Sequence, residues 1–148
     1  HCAEFEKKYG EEIQKLVEDG TITLEIRNLT FLDRSSPTAY SARNAAAAYS
    51  VANQVSTSNF LNYQREIFSH QGTGDMNNQQ IADIASKYGA SIGSDMNEDK
   101  WRPFVDVVNA ESAKNGIQGT PTVFVDGDQY TSNDFSAFLK SKIEAKKK

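Results

Sequence analysis

Cys2, Phe5, Tyr9, Ile13 and Leu16 recur at steps of three and four, the spacing that puts side chains on one face of a helix. Glu4, Lys7, Lys8, Glu11, Glu12 and Lys15 fall opposite them, so the chain opens on an amphipathic helix that Asp19-Gly20 ends. Gly10, in the middle of that helix, costs about 1 kcal/mol relative to Ala. The next stretch, Thr21-Ile22-Thr23-Leu24-Glu25-Ile26, alternates polar and apolar and is rich in β-branched residues, which predicts a strand. A helix passing into a strand points to α/β layering.

From Pro37 the pattern turns helical. The predicted helices are Tyr40 to Gln54, with the run Ala45-Ala46-Ala47-Ala48; about Asn59 to His70, with Phe60, Tyr63, Ile67 and Phe68; and Asn78 to Tyr88, with Ile81, Ile84 and Ala85. Gln71-Gly72-Thr73-Gly74 and Gly89 separate them. A fourth helical segment holds Trp101, Phe104, Val105 and Val108 and stops at Asn115-Gly116, with Pro103 tolerated near its start. Asp33 to Ser36 and Gly93 to Asn97 read as loops bordering this block. Thr122-Val123-Phe124-Val125 is an apolar run without alternation, which predicts a strand covered on both faces. Asp126-Gly127 marks a hairpin turn, Gln129-Tyr130 the return strand, and Thr131 or Ser132 the cap of a last helix bearing Phe135, Phe138, Leu139 and Ile143.

Composition narrows the function classes. The chain has 148 residues, 38% of them hydrophobic and 24% charged, a balance typical of globular domains. No stretch approaches the roughly 18 apolar residues that span a bilayer. A net charge of -4, with Lys and Arg dispersed outside Lys146-Lys147-Lys148, offers no basic surface for a phosphate backbone, so nucleic acid is not an expected partner. The terminal lysines read as a solvated helix end favoured by the helix dipole. One cysteine excludes a disulfide within this chain and a zinc site built on thiolates; with His1 and His70 far apart in sequence, no metal is expected. No initiator Met, signal peptide or lead-in strand precedes the first helix, so the chain is expected to begin inside a longer protein.

Two segments carry candidate chemistry. His1-Cys2-Ala3-Glu4-Phe5-Glu6 resembles the second half of the Cys-Pro-His-Cys motif of DsbA-like thiol-disulfide oxidoreductases and the helix after it. Gly116-Ile117-Gln118-Gly119-Thr120-Pro121-Thr122-Val123-Phe124-Val125-Asp126-Gly127 resembles the cis-proline loop and hairpin of the same family, and is the more specific of the two because it is long and ordered. The resemblance implies an α/β, thioredoxin-like fold with an inserted helical subdomain: residues 1-33 and 116-148 form the thioredoxin-like domain, whose first strand lies upstream, and residues 34-115 the insertion. It implies a protein disulfide oxidoreductase or isomerase without a cofactor. The family's first cysteine, placed at the positive end of a helix, is the reactive thiolate. Cys2 corresponds to the second, which resolves the mixed disulfide by thiol exchange. His1 stabilises the thiolate and hence the reduced form. Gly119, Thr120 and Pro121 bind an extended substrate through the main chain. The implied partners are unfolded or reduced exported proteins and a membrane-bound redox partner that recycles the enzyme. The implied location is extracytoplasmic, in a bacterial periplasm or cell envelope.

Blander readings stand beside these. A lone cysteine is commonly a small buried hydrophobe, His1 is also readable as a truncation or tag residue, and most X-Pro bonds are trans. His70 fits a structural place at a helix end, and Trp101 and the tyrosines fit a core. Asn28-Leu29-Thr30 matches a glycosylation sequon of a length that recurs by chance. Two other functions share the fold: a redox-inactive peptide-binding module, and a kappa-class glutathione transferase-like enzyme.

Overall fold

The computed structural model describes residues 1-147. Its elements in chain order are α1 (Cys2–Glu18), a 3-10 turn (Phe31–Ser35), α2 (Tyr40–Ala52), α3 (Thr57–Ser69), α4 (Asn78–Lys87), α5 (Gly93–Asn97), α6 (Arg102–Lys114), β1 (Phe124–Val125), β2 (Asp128–Gln129) and α7 (Phe135–Lys146). The chain divides into two compact units, one formed by His1–Leu24 and the chain from Gly119 onward, the other by Glu25–Gln118.

The helical unit is built around α2, which contacts α3, α4, α5, α6 and the 3-10 turn. Its alanines make that possible: Ala42, Ala45, Ala46, Ala47 and Ala48 are all buried, and their single methyl groups let neighbours approach on several sides. Val51, Tyr63, Ile81 and Ile92, all fully buried, fill the largest core cluster. Residues 25-33 pack with this unit rather than with the first. The Asn28 N–H donates to the Tyr49 hydroxyl at 3.3 Å, and Thr30 donates to Asn109 Oδ1 through its N–H at 2.9 Å and its hydroxyl at 3.0 Å. The sequon Asn28-Leu29-Thr30 is part of this strap.

Both expected border loops are helical turns. Each is five residues long, too short to show a period. The first has a clear task. Ala39, the residue before α2, is left-handed (φ 52) and its side chain caps nothing. Asp33 supplies the missing acceptors, taking the Ser41 N–H at 2.8 Å and the Ala42 N–H at 3.2 Å, while Ser36 Oγ takes the Tyr40 N–H at 3.0 Å.

The second turn carries Asp95, which accepts from the buried Ser50 hydroxyl at 2.7 Å and from Trp101 Nε1 at 3.3 Å. The Ser50 hydrogen bond holds this carboxyl below its usual range. Asp95→Ala leaves the Ser50 hydroxyl without its acceptor and is expected to cost about 1–3 kcal/mol in urea unfolding. A carboxyl whose folded pKa is depressed contributes stability above its unfolded pKa, about 3.9, and loses it as pH falls through the folded value. Acid titration of Asp95→Asn should accordingly show a shallower stability loss below about pH 4 than the wild type.

The discontinuous unit departs from the sequence expectations at three places. Residues 21-26 form no ladder: β1 and β2 make the only sheet among the described residues, and alternation fixes where side chains point but cannot supply a hydrogen-bonding neighbour. The 122-125 run is not covered on both faces. Val123 and Val125 join the core, while Phe124 is 51% exposed, since a two-stranded hairpin packed on helices has one covered side. The last helix is capped by Asp134, whose Oδ1 accepts the Ala137 N–H at 3.1 Å, and not by Thr131 or Ser132. The hairpin itself is as expected. Phe124 pairs with Gln129 and Val125 with Asp128, and Asp126 (φ 49) and Gly127 (φ 85) have the two positive φ angles of a tight two-residue turn. Of the lysine tail, Lys146 ends α7 and Lys147 is its cap residue; Lys148 lies outside the described residues.

Candidate active site

All the expected site residues fall in the discontinuous unit. Cys2 is the first residue of α1, a half-buried free thiol, and His1 is the residue before the helix. The His1 side chain is exposed and makes no cap bond, but its carbonyl accepts the Phe5 N–H at 3.0 Å, so the first helical turn closes directly on this pair. The dipole of a 17-residue helix thus has its positive end at Cys2.

The Thr120–Pro121 peptide bond is cis. Gly119 and Pro121 are exposed and Thr120 is half-buried. The Thr122 hydroxyl donates to the Gly119 carbonyl at 2.5 Å, closing the loop around the proline. The sequence places Thr122 in the cis-proline segment and at the start of a strand and gives its hydroxyl no task; a hydroxyl residue just past a turn proline is the signal for such a clasp. The Tyr130 N–H donates to the Val123 carbonyl at 2.9 Å, which extends the hairpin one pair beyond the ladder and ties its far end to the chain leaving Pro121.

The helix and the hairpin share a core. Tyr9, Phe135 and Leu139 are buried in it, with Phe5, Ile13, Leu16, Val123, Val125 and Tyr130 packed around them. The aromatic members were legible only as core positions of separate elements, and their meeting was not. His70 stands, as expected, at the C-terminal cap of α3. Trp101 is half-buried beside Tyr49 and Phe104. Among the described residues no group of three or more His, Cys, Asp or Glu side chains is gathered to hold a metal ion, and no helix is long and apolar enough to cross a membrane.

The sequence profile of a family described as Thioredoxin matches residues 1-145, so the chain belongs to the thioredoxin family. Similar solved structures place it more closely. DsbA of Mycobacterium tuberculosis, in its reduced form, superposes with a TM-score of 0.81 at 28% identity over 97% of this chain and 75% of its own. DsbG, a disulfide bond oxidoreductase of the same organism, gives 0.82 at 28% over 97% and 71%. MdbA, a thiol-disulfide oxidoreductase from Corynebacterium diphtheriae, gives 0.79 at 27% over 96% and 76%. The comparison with curated proteins finds no match. The chain is a DsbA-like thiol-disulfide oxidoreductase with a thioredoxin fold and a helical insertion. None of these three neighbours is a glutathione transferase or a redox-inactive binding module.

Proposed function

We propose that this protein introduces or exchanges disulfide bonds in reduced, exported proteins, outside the cytoplasm, with Cys2 as its resolving thiol. The observation that carries the reading is the thiol at the first position of α1 in the same compact unit as the cis Thr120–Pro121 loop. The discontinuous unit serves as the thioredoxin-like domain and residues 25-118 as the insertion.

The resemblance of His1-Cys2 to the second half of Cys-Pro-His-Cys supplies the partner thiol, a cysteine two places before His1 in the full protein. A substrate thiolate attacks that sulfur in the enzyme disulfide, the S–S bond to Cys2 breaks, and Cys2 leaves as a thiolate. A second substrate thiolate then attacks the mixed disulfide, releasing the oxidised substrate and a dithiol enzyme. The two electrons pass to a membrane-bound redox partner. In the reverse direction Cys2 attacks the mixed disulfide and expels the substrate thiolate, which permits isomerisation. His1 favours the reduced form by stabilising thiolate charge, and Gly119, Thr120 and Pro121 offer main-chain groups to an extended substrate.

The test is reoxidation of reduced ribonuclease by the full-length protein in a glutathione buffer. Recovery of ribonuclease activity faster than in buffer alone is expected. A rate equal to buffer, from a protein whose gene encodes no cysteine before His1, sinks the reading.

A further inference from the structure

We propose that the cleft at the starts of α2, α4 and α6 in the helical unit is a binding site for a small monocarboxylate, held by the guanidinium groups of Arg43 and Arg102. It shares no residue with the Cys2 and Thr120–Pro121 site and does not depend on the function proposed above. The cleft has a volume of about 320 Å³, and Ala39, Asn78 and Arg102 are among its lining residues. Ala39 is the residue before α2, Asn78 the first of α4 and Arg102 the first of α6, helices of 13, 10 and 13 residues. Each brings the positive end of its dipole to the cleft. Their first amides are largely taken: Asp33, Ser36 and Asn77 already accept from the first turns of α2 and α4, and Pro103 has no N–H to offer in α6. The helix ends therefore supply field, and hydrogen bonds to a ligand must come from side chains.

Two arginines supply them. Arg43 is fixed in place: Nε donates to the Thr38 carbonyl at 2.8 Å, Nη1 to the Met76 carbonyl at 2.9 Å and to Asn78 Oδ1 at 3.0 Å, and Nη2 to Thr38 Oγ1 at 2.9 Å. All four acceptors are neutral, so the charge is positioned without being cancelled by contact, and a guanidinium hydrogen remains on Nη2. Arg102 uses Nε, which donates to Asp106 at 3.3 Å; among the described residues its two terminal nitrogens have no hydrogen-bond partner. A planar fork of two nitrogens matches the two oxygens of a carboxylate. Ala46 and Met96, both buried, also line the cleft, and an apolar lining strengthens a charge contact by excluding water. Asp99, on the same lining, limits what enters. Against the two guanidinium groups it leaves one net positive charge, while Asp75, reached through Thr38 Oγ1, and Asp106 stand behind the arginines. That balance suits one negative charge and disfavours a polyanion, and the volume is at the lower end of small-molecule sites.

The test is an amide chemical-shift titration of the isotope-labelled full-length protein with N-acetylglycinate, with N-acetylglycinamide as the neutral isostere and sodium chloride at equal ionic strength as controls. N-acetylglycinate should shift the amides of Ala39, Asn78 and Arg102 along curves that saturate at millimolar concentration, and the controls should not. Arg102→Gln, at a side chain 38% exposed, keeps the fold and should weaken binding about tenfold. Asp99→Asn removes the opposing charge and should tighten binding about two- to fivefold. Changes of opposite sign in two variants of one cleft do not come from a general loss of structure. Equal shifts with chloride would mean an adventitious ion only, and equal shifts with the neutral isostere, or an affinity that Arg102→Gln leaves unchanged, would overturn the proposal as well.

Discussion

Cys2→Ser in the full-length protein is expected to end turnover and leave substrate covalently attached. The serine hydroxyl is close in size to the thiol and Cys2 is only half-buried at a helix start, so the fold should survive. What goes is the second thiol. Without it the enzyme can form no internal disulfide and so stores no oxidising equivalents, and ribonuclease reoxidation should fall to the rate of buffer alone. A mixed disulfide, once formed at the upstream cysteine, is no longer expelled by an internal thiolate. Non-reducing electrophoresis after mixing with a disulfide-bonded substrate should then show a reducible adduct one substrate heavier, absent from the wild type. Undiminished reoxidation with no adduct would assign Cys2 to packing. His1→Ser makes a smaller and different change. It leaves both thiols in place and should shift the equilibrium with glutathione toward the oxidised protein, because stabilisation of the thiolate form is reduced.

How much of this was legible in the sequence depends on whether the informative contact was local. The helices of the insertion were readable because Ile81, Ile84 and Ala85, or Phe60, Tyr63 and Ile67, repeat at the period of the structure they form. The hairpin was readable because Asp126-Gly127 states its own turn. The site segments were readable as resemblance, since Gly119-Thr120-Pro121 and His1-Cys2 each lie within a short run. Long-range partners left no local trace. Asp33 takes amide hydrogens eight and nine residues away, Ser50 finds its acceptor 45 residues on, and Asn109 holds Thr30 across 79 residues. Each of these polar residues looks in sequence like any solvated one. The 21-26 stretch shows the converse error: its alternation is genuine, but a strand is a relation between two segments and the pattern describes one. Phe124 misled for a similar reason, because an unbroken apolar run does not say how many layers will cover it.

Phe135→Ala is expected to be the most damaging substitution for the structure that holds Cys2. Phe135 is 3% exposed and its ring stands 5.0 Å from Phe5, 5.3 Å from Tyr9 and 5.1 Å from Tyr130 between centroids, mostly edge to face. One side chain thus touches α1, α7 and the end of the hairpin. Among the described residues it shares the buried centre of the unit's apolar cluster with Tyr9 and Leu139. Truncating a buried Phe to Ala costs about 3–5 kcal/mol, a large part of the roughly 5–15 kcal/mol that separates folded from unfolded domains, and should lower Tm by on the order of 10 °C. Val107→Ala, at a residue 63% exposed in the helical unit, is the matched control and should stay within about 0.5 kcal/mol of wild type. The loss should also be local. Because the ring backs the helix that begins at Cys2, amide exchange along α1 and alkylation of Cys2 should accelerate in Phe135→Ala at temperatures where the amides of α2 and α4 remain protected. Equal acceleration in both units would mean that the chain opens as one cooperative body, and a Tm within 2 °C of wild type, at the precision set by about 1 kcal/mol, would mean that the aromatic cluster does not carry the unit.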